Sequence, residues 1–189
     1  MRTFLALDLP NPVRQHLATV IDTLAQRIPG VRWVKPNGLH VTLKFIGEID
    51  EVKLKGIQSA LEGINNYRTA MPAQLRALDA FPSLIRPRII VATMNEEVDN
   101  IKTMFHDIEH RLETVGIEKE QRGFVPHITL GRVKNPAPIL KQHIVPLYGR
   151  RFYLETLILY RSTLTREGAL YDPLSEIRFR KDDNEKGRD

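Results

Sequence analysis

The 189-residue sequence predicts an α+β protein built as two similar lobes, a bilobal pseudo-twofold duplication. Three observations carry this expectation. Short apolar strand patterns alternate with amphipathic helical stripes. The order strand–helix–strand occurs twice. The tetrad His-x-Thr-Leu stands once in each copy, at His40 and at His127. The copies keep a nearly constant offset: Ala6 falls on Ala92 at 86, the helical stripes begin at Val13 and Val98 at 85, and the tetrads lie 87 apart. Such spacing reads as an internal repeat. A pseudo-twofold relating the halves would set the two tetrad strands facing each other across a cleft.

The elements follow in order. RTFLALDL (2–9) is a buried-strand pattern. Asn11 and Pro12 supply an N-cap and a first-turn proline. Val13, Leu17, Val20, Ile21, Leu24 and Ile28 then form a helical stripe that Pro29-Gly30 ends. LHVTLKFIG (39–47) is the first tetrad strand, followed by a helix from about Asp50 with Leu54, Ile57, Leu61 and Ile64 inward. A strand-rich stretch, AMPAQLRALDAF, leads to PRIIVATM (87–94), where the pattern restarts. Val98, Ile101, Phe105, Ile108, Leu112 and Val115 make the second stripe, stopped by Gly116, and FVPHITLGRV (124–133) is the second tetrad strand. A short helical segment at 139–144, the strand RFYLETLILYRST (151–163) and a hairpin around Arg166–Gly168 complete the fold. RKDDNEKGRD (180–189) has nothing to bury and reads as a disordered tail.

Composition excludes several chemistries. There is no Cys, so disulfide scaffolds, thiolate metal sites and Cys nucleophiles are ruled out. No apolar run approaches the ~18 residues of a membrane span. MRTFLALDLPNPV is broken by Asp8 and Pro10 too early for a signal peptide, so a soluble cytoplasmic protein is expected. Net charge is +5 and favours anionic partners such as nucleic acid or phosphorylated metabolites.

The tetrads are the sharpest signal. This composition yields such a tetrad by chance roughly 0.04 times, so a pair arises in about one shuffled sequence per thousand. Side chains alternate faces along a strand. His40, Thr42 and Lys44 are therefore expected on one face, with Val41, Leu43 and Phe45 in the core. His127 and Thr129 share a face opposite Ile128 and Leu130. Two imidazoles and two hydroxyls suit acid–base catalysis at phosphorus. One ring serves as base and the other as acid, and the hydroxyls donate to phosphate oxygens. Lys44 and Arg132 would add positive charge. Strict alternation places Arg132 on the core face, and a bulge or a strand end at Gly131 would release it.

HVTLKFIGE and FVPHITLGRV resemble the two signature motifs of the 2H phosphoesterase superfamily, nearest to the RNA 2′,3′-cyclic phosphodiesterases, also called 2′-5′ RNA ligases. RTFLALDLP, AFPSLIRPRIIVA and LILYRSTLTREGALYDPL extend the resemblance in order and spacing, from about residue 2 to 179. The resemblance implies one bilobal domain over 1–179, with antiparallel sheets lining a basic cleft and helices outside. It implies His40 as proton donor and His127 as proton acceptor, with Thr42, Thr129 and Arg132 on the substrate. It also implies hydrolysis of a terminal 2′,3′-cyclic phosphate to a 2′-phosphate, reversible as 2′-5′ ligation, with no metal and no cofactor. The expected partners are RNA ends bearing the cyclic phosphate, including tRNA halves, and the expected state is a monomer. The rival reading is a non-catalytic module that only binds RNA ends.

His106-Asp107-Ile108-Glu109-His110 matches an H-x-x-E-H zinc pattern, but no third ligand accompanies it, and a solvated helix face is expected instead. His16 and His143 are expected at the surface or its boundary. Trp33, Phe81, Phe124 and Tyr160 read as core, with Phe124 the first choice to stack a base because it precedes His127 by three residues. Arg86 and Arg88 could extend a basic cleft.

Overall fold

The computed structural model describes residues 1–66, 68–95, 99–135, 137–147, 149, 151–165 and 168–180. In chain order these form β1 (Arg2–Asp8), α1 (Asn11–Arg27), β2 (Val31–Trp33), β3 (His40–Glu48), α2 (Glu51–Leu61), β4 (Met71–Ala73), β5 (Leu75–Phe81), β6 (Ile89–Met94), α3 (Asp99–Glu113), β7 (His127–Val133), β8 (Phe152–Leu154), β9 (Thr156–Thr165) and β10 (Gly168–Arg178). Val98, Arg166 and nearly all of the charged tail lie outside the described residues.

Each expected element forms, with local adjustments. Pro10 rather than Asn11 occupies the N-cap of α1, because Asn11 is already helical and no side chain caps that end. Asp50 caps α2 through a 2.7 Å bond from the Lys53 amide. Gly116 stops α3 with a φ of 73°, a conformation that costs glycine nothing. The expected strand at 151–163 breaks at Glu155 into β8 and β9. The 139–144 segment makes only a single 3-10 turn, Lys141–His143.

The main sheet runs β10-β9-β1-β3-β7-β6-β5, with β2 added on β7, and β4 pairs with β8 in a second sheet. The pairings between these strands are antiparallel. The order is symmetric about the β3–β7 junction: β1 flanks β3 as β6 flanks β7, then β9 flanks β1 as β5 flanks β6. The C-terminal strand thus completes the N-terminal half. At the junction the described ladder is the single pair Val41–Ile128. Beyond it β2 takes over the β7 edge, Trp33 opposite Gly131 and Val31 opposite Val133, so β3 and β7 part there.

One face of the sheet carries the core. Leu5, Leu7, Val41, Leu43, Ile128 and Leu130 pack with Leu17, Ile21 and Leu24 of α1, Ile57 of α2 and Ile101, Ile108 and Leu112 of α3. Helices cover that side, which leaves the tetrad polar groups on the other.

Candidate active site

The junction brings the two tetrads together. Antiparallel pairing of Val41 with Ile128 sets His40 level with Thr129 and Thr42 level with His127. The two histidines are then diagonal neighbours across the strands, with backbones roughly 7–8 Å apart.

Both rings are held by the backbone. His127 Nδ1 lies 2.7 Å from the Val125 carbonyl, and His40 bonds the backbone of Gly38, again two residues upstream. An Nδ1–H that donates to a carbonyl leaves Nε2 as the free basic nitrogen. In His40 that Nε2 sits 3.0 Å from Thr42 Oγ1, within reach of the hydroxyl proton. Burial lowers the His40 pKa to about 4, opposed by the Gly38 bond and by Asp8 and assisted by Arg14 and Arg132. Burial also lowers His127, opposed by the Val125 bond and assisted by Arg132. In the protein alone, both rings are neutral at pH 7.

Aromatic rings hold both imidazoles. Phe4 lies 4.9 Å from His40, Tyr171 meets it edge-on at 5.4 Å, and Phe81 meets His127 edge-on at 5.0 Å. Tyr160 stacks on Phe4 at 5.2 Å. Burial, and then Asp8, raise its phenol pKa to about 12, so it remains a donor.

Arg132 reaches the site through the expected bulge. Across β6, Ile89 pairs with Arg132, Ile90 with Gly131 and Val91 with Thr129, so the ladder skips Leu130. Ile89 and Val91 share a face of β6, and therefore Arg132 shares a face with Thr129. Gly131 leaves room there for the side chains of β2. A Cβ there would come within 2.6 Å of Val31 Cγ1 and 2.8 Å of Trp33 Cε3.

The first tetrad strand has the same irregularity, and it reverses two expectations. Leu5 pairs with Lys44 and Ala6 with Thr42, so Leu43 is skipped. Lys44 turns inward, with Nζ 2.8 Å from Glu109 Oε1 and 2.6 Å from the Glu118 carbonyl. It is not a site cation. Phe45 turns outward onto the site face, 63% exposed, at the position corresponding to Arg132. Phe124 is also committed elsewhere, stacked on Phe105 at 4.3 Å with planes 5° apart. Glu109 of the H-x-x-E-H pattern is occupied by Lys44 and by the Glu120 amide, while His106 and His110 are exposed. Arg86 and Arg88 are exposed as well.

Sequence reasoning missed Arg14. From the first turn of α1 its guanidinium pairs with Asp8 and donates to the Pro36 carbonyl at 2.9 Å, the Leu39 carbonyl at 3.0 Å and the Leu9 carbonyl at 3.2 Å. It pins the turn that carries Gly38 and His40. Asp8 stands directly opposite His40 in the β1–β3 register. Only a periodic helix and a charged residue at a strand end were visible in sequence, and neither suggests that they meet.

A family model described as LigT like phosphoesterase matches residues 7–91 and 92–171. The chain is 33% identical over 183 residues to the RNA 2′,3′-cyclic phosphodiesterase of Methanocaldococcus jannaschii, covering 93% of this chain and 99% of that protein. It is 32% identical to the protein of that name in Thermus thermophilus, covering 95% and 91%. A crystal structure of a Thermus thermophilus protein superimposes with a TM-score of 0.85 at 28% identity, over 96% of this chain and 99% of that one. E. coli LigT complexed with 3′-AMP shares the fold, with a TM-score of 0.76 at 22% identity, over 94% and 97%.

Proposed function

The chain belongs to the LigT-like phosphoesterase family, and on that premise we propose that it hydrolyses the 2′,3′-cyclic phosphate at RNA ends to a 2′-phosphate by two-histidine acid–base catalysis. The observation that carries this reading is the pairing of Val41 with Ile128, which brings the two tetrads, each with its imidazole and hydroxyl, together on one face.

His127 Nε2 takes a proton from the attacking water, and the water oxygen bonds to phosphorus. The phosphorus–O3′ bond breaks, and His40 Nε2–H protonates the departing 3′-oxygen. The 2′-phosphate remains on the ribose. Thr42 and Thr129 donate to non-bridging oxygens, and Arg132 offsets their charge as it builds. Thr42 exchanges its bond to His40 for one to phosphate. Without substrate, burial above all keeps His40 neutral. A phosphodiester anion between the rings favours their charged forms, so substrate itself promotes protonation of the acid. Metal is assigned no role, and the residues supply both proton transfers unaided.

The same groups also serve a 5′-hydroxyl in place of water: its oxygen bonds to phosphorus as His127 takes its proton, the phosphorus–O3′ bond breaks with His40 protonating the 3′-oxygen, and a 2′-5′ linkage forms. Water at ~55 M competes, so hydrolysis wins unless two RNA ends are held together, and an effective molarity of ~10⁵ M or more, as well-oriented groups reach, would favour ligation. tRNA halves are natural candidates as substrates. Among the described residues no helix is long and apolar enough to cross a membrane. The proposal further takes the enzyme as a cytoplasmic monomer with one domain over 1–179.

The test is turnover of an oligonucleotide ending in a 2′,3′-cyclic phosphate in excess EDTA, with the product phosphate located. Turnover to a 2′-phosphate that is lost in both His40→Ala and His127→Ala supports the reading. Tight binding without turnover would replace it with the RNA-end-binding module, and loss of activity in EDTA would replace it with a metal mechanism.

A further inference from the structure

Arg32 lies directly opposite Arg132 across the β2–β7 ladder. Facing residues in an antiparallel pair project to the same side of the sheet, with Cβ atoms roughly 4.5–5.5 Å apart. The packing around Gly131 identifies that side. The Cβ direction at Gly131 meets Val31 and Trp33, and these two pack with Ile90, Ala80 and Val133 in the core. Arg32, between Val31 and Trp33, therefore points to the opposite face, the one that carries His127, Thr129 and Arg132. Both arginines are exposed, and among the described residues neither has an ion-pair or hydrogen-bond partner for its guanidinium. Like charges directly opposite in a ladder repel, and this pair has no carboxylate to relieve it.

Such a pair is suited to anions on both guanidiniums. Arg132 shares the site face with Thr129 through the β6–β7 register, and on the reading above it takes the reacting phosphate. Arg32 stands one strand spacing further out, about 4.8 Å, on the order of the step between successive phosphates of a nucleic-acid strand. We propose that Arg32 is a second phosphate site, which binds the RNA backbone phosphodiester next to the reacting end, so that the enzyme distinguishes a polynucleotide end from a mononucleotide. This rests on the reading of the site given above. A guanidinium fork is well matched to two non-bridging oxygens.

The test uses products, which are inert to the reaction. A nucleoside 2′-monophosphate and a trinucleotide ending in a 2′-phosphate are titrated against wild type and Arg32→Ala. The variant is expected to weaken trinucleotide binding about five- to tenfold and mononucleotide binding less than twofold. The slope of log Kd against log salt for the trinucleotide should shrink by about 0.7, the loss of one single-strand phosphate contact. Lys55→Ala, exposed on α2, is the control for net charge and should change neither. Equal weakening for both ligands would overturn the proposal, and so would no weakening for the trinucleotide. Turnover of a cyclic-phosphate end by wild type is measured separately. Its absence would sink the catalytic reading while the binding contrast still decides the role of Arg32.

Discussion

Val41 of β3 pairs with Ile128 of β7, and in the described ladder this one pair joins the two halves of the sheet. Both side chains are fully buried. The polar neighbours on either side are thereby forced onto the opposite face, where two histidines and two threonines meet. The geometry of the site is thus anchored by two apolar residues that never touch substrate.

Replacing either imidazole should lower turnover of a cyclic-phosphate end by about 10²–10⁴, the usual scale of positioned proton transfer. Binding of the 2′-phosphate product should change far less. Thr42→Val and Thr129→Val are expected to lower kcat more than they raise KM, since in the proposed mechanism the hydroxyls act as charge develops on phosphate oxygens. Steady-state kinetics on the four variants check this ordering.

The depressed His40 pKa has a consequence for stability. Between 6.5 and about 4 the unfolded chain binds a proton that the folded chain refuses, so stability falls as pH falls through that window. His40→Gln should remove about 3 kcal/mol of this acid sensitivity. Urea unfolding of both proteins at pH 7 and pH 4 measures the difference, and identical pH dependence would refute the burial argument.

Arg14 should act as a positioning residue for His40. Three charged groups, Arg14, Asp8 and Arg132, act on that ring, and the phenols of Tyr160 and Tyr171 pack near it. Arg14→Ala removes a cation that lowers the His40 pKa and frees Asp8, which raises it. The NMR titration of His40 should therefore move to higher pH, and kcat should fall about 10- to 100-fold as the turn loosens. Arg14→Lys cannot reach the several carbonyls that the guanidinium bonds at once. A purely structural role would lower stability without moving the titration.

Breaking the buried ion pair should be costly. Lys44→Met leaves Glu109 buried without its cation and should destabilise by about 3–5 kcal/mol. The double variant Lys44→Met with Glu109→Leu should recover most of that loss. A thermal-unfolding cycle over the three variants decides it.

Gly131→Ala should destabilise by about 1–3 kcal/mol, because the added methyl has no space between Val31 and Trp33. The kinetic signature is a loss of Arg132 function, read as a larger KM for the cyclic end. Unchanged stability would show that β2 moves away freely.

The repeat, the helix stripes and the paired tetrads were all legible, because each is a local periodicity written in neighbouring residues. Helix α1 was readable from Leu17, Val20, Ile21 and Leu24 alone. The boundaries were less so. Pro10 displaced Asn11 as the cap, and the 139–144 segment made only a 3-10 turn, since end geometry depends on packing outside the segment.

By itself the sequence determined the fold class, the duplication, the family and the shared face of the histidine and threonine in each tetrad. Only the tertiary structure decided which way the residues after each tetrad point. Lys44, expected beside the phosphate, is buried against Glu109, and Phe45, expected in the core, faces out. Arg132 could be resolved only once the β6 register showed the skipped residue. A bulge reverses the alternation of the side chains that follow until the next irregularity, and it arises from pairing with a distant strand, so no local pattern records it. The grip of Arg14 on the His40 turn has the same origin, a contact made when a helix folds back across more than twenty residues of chain.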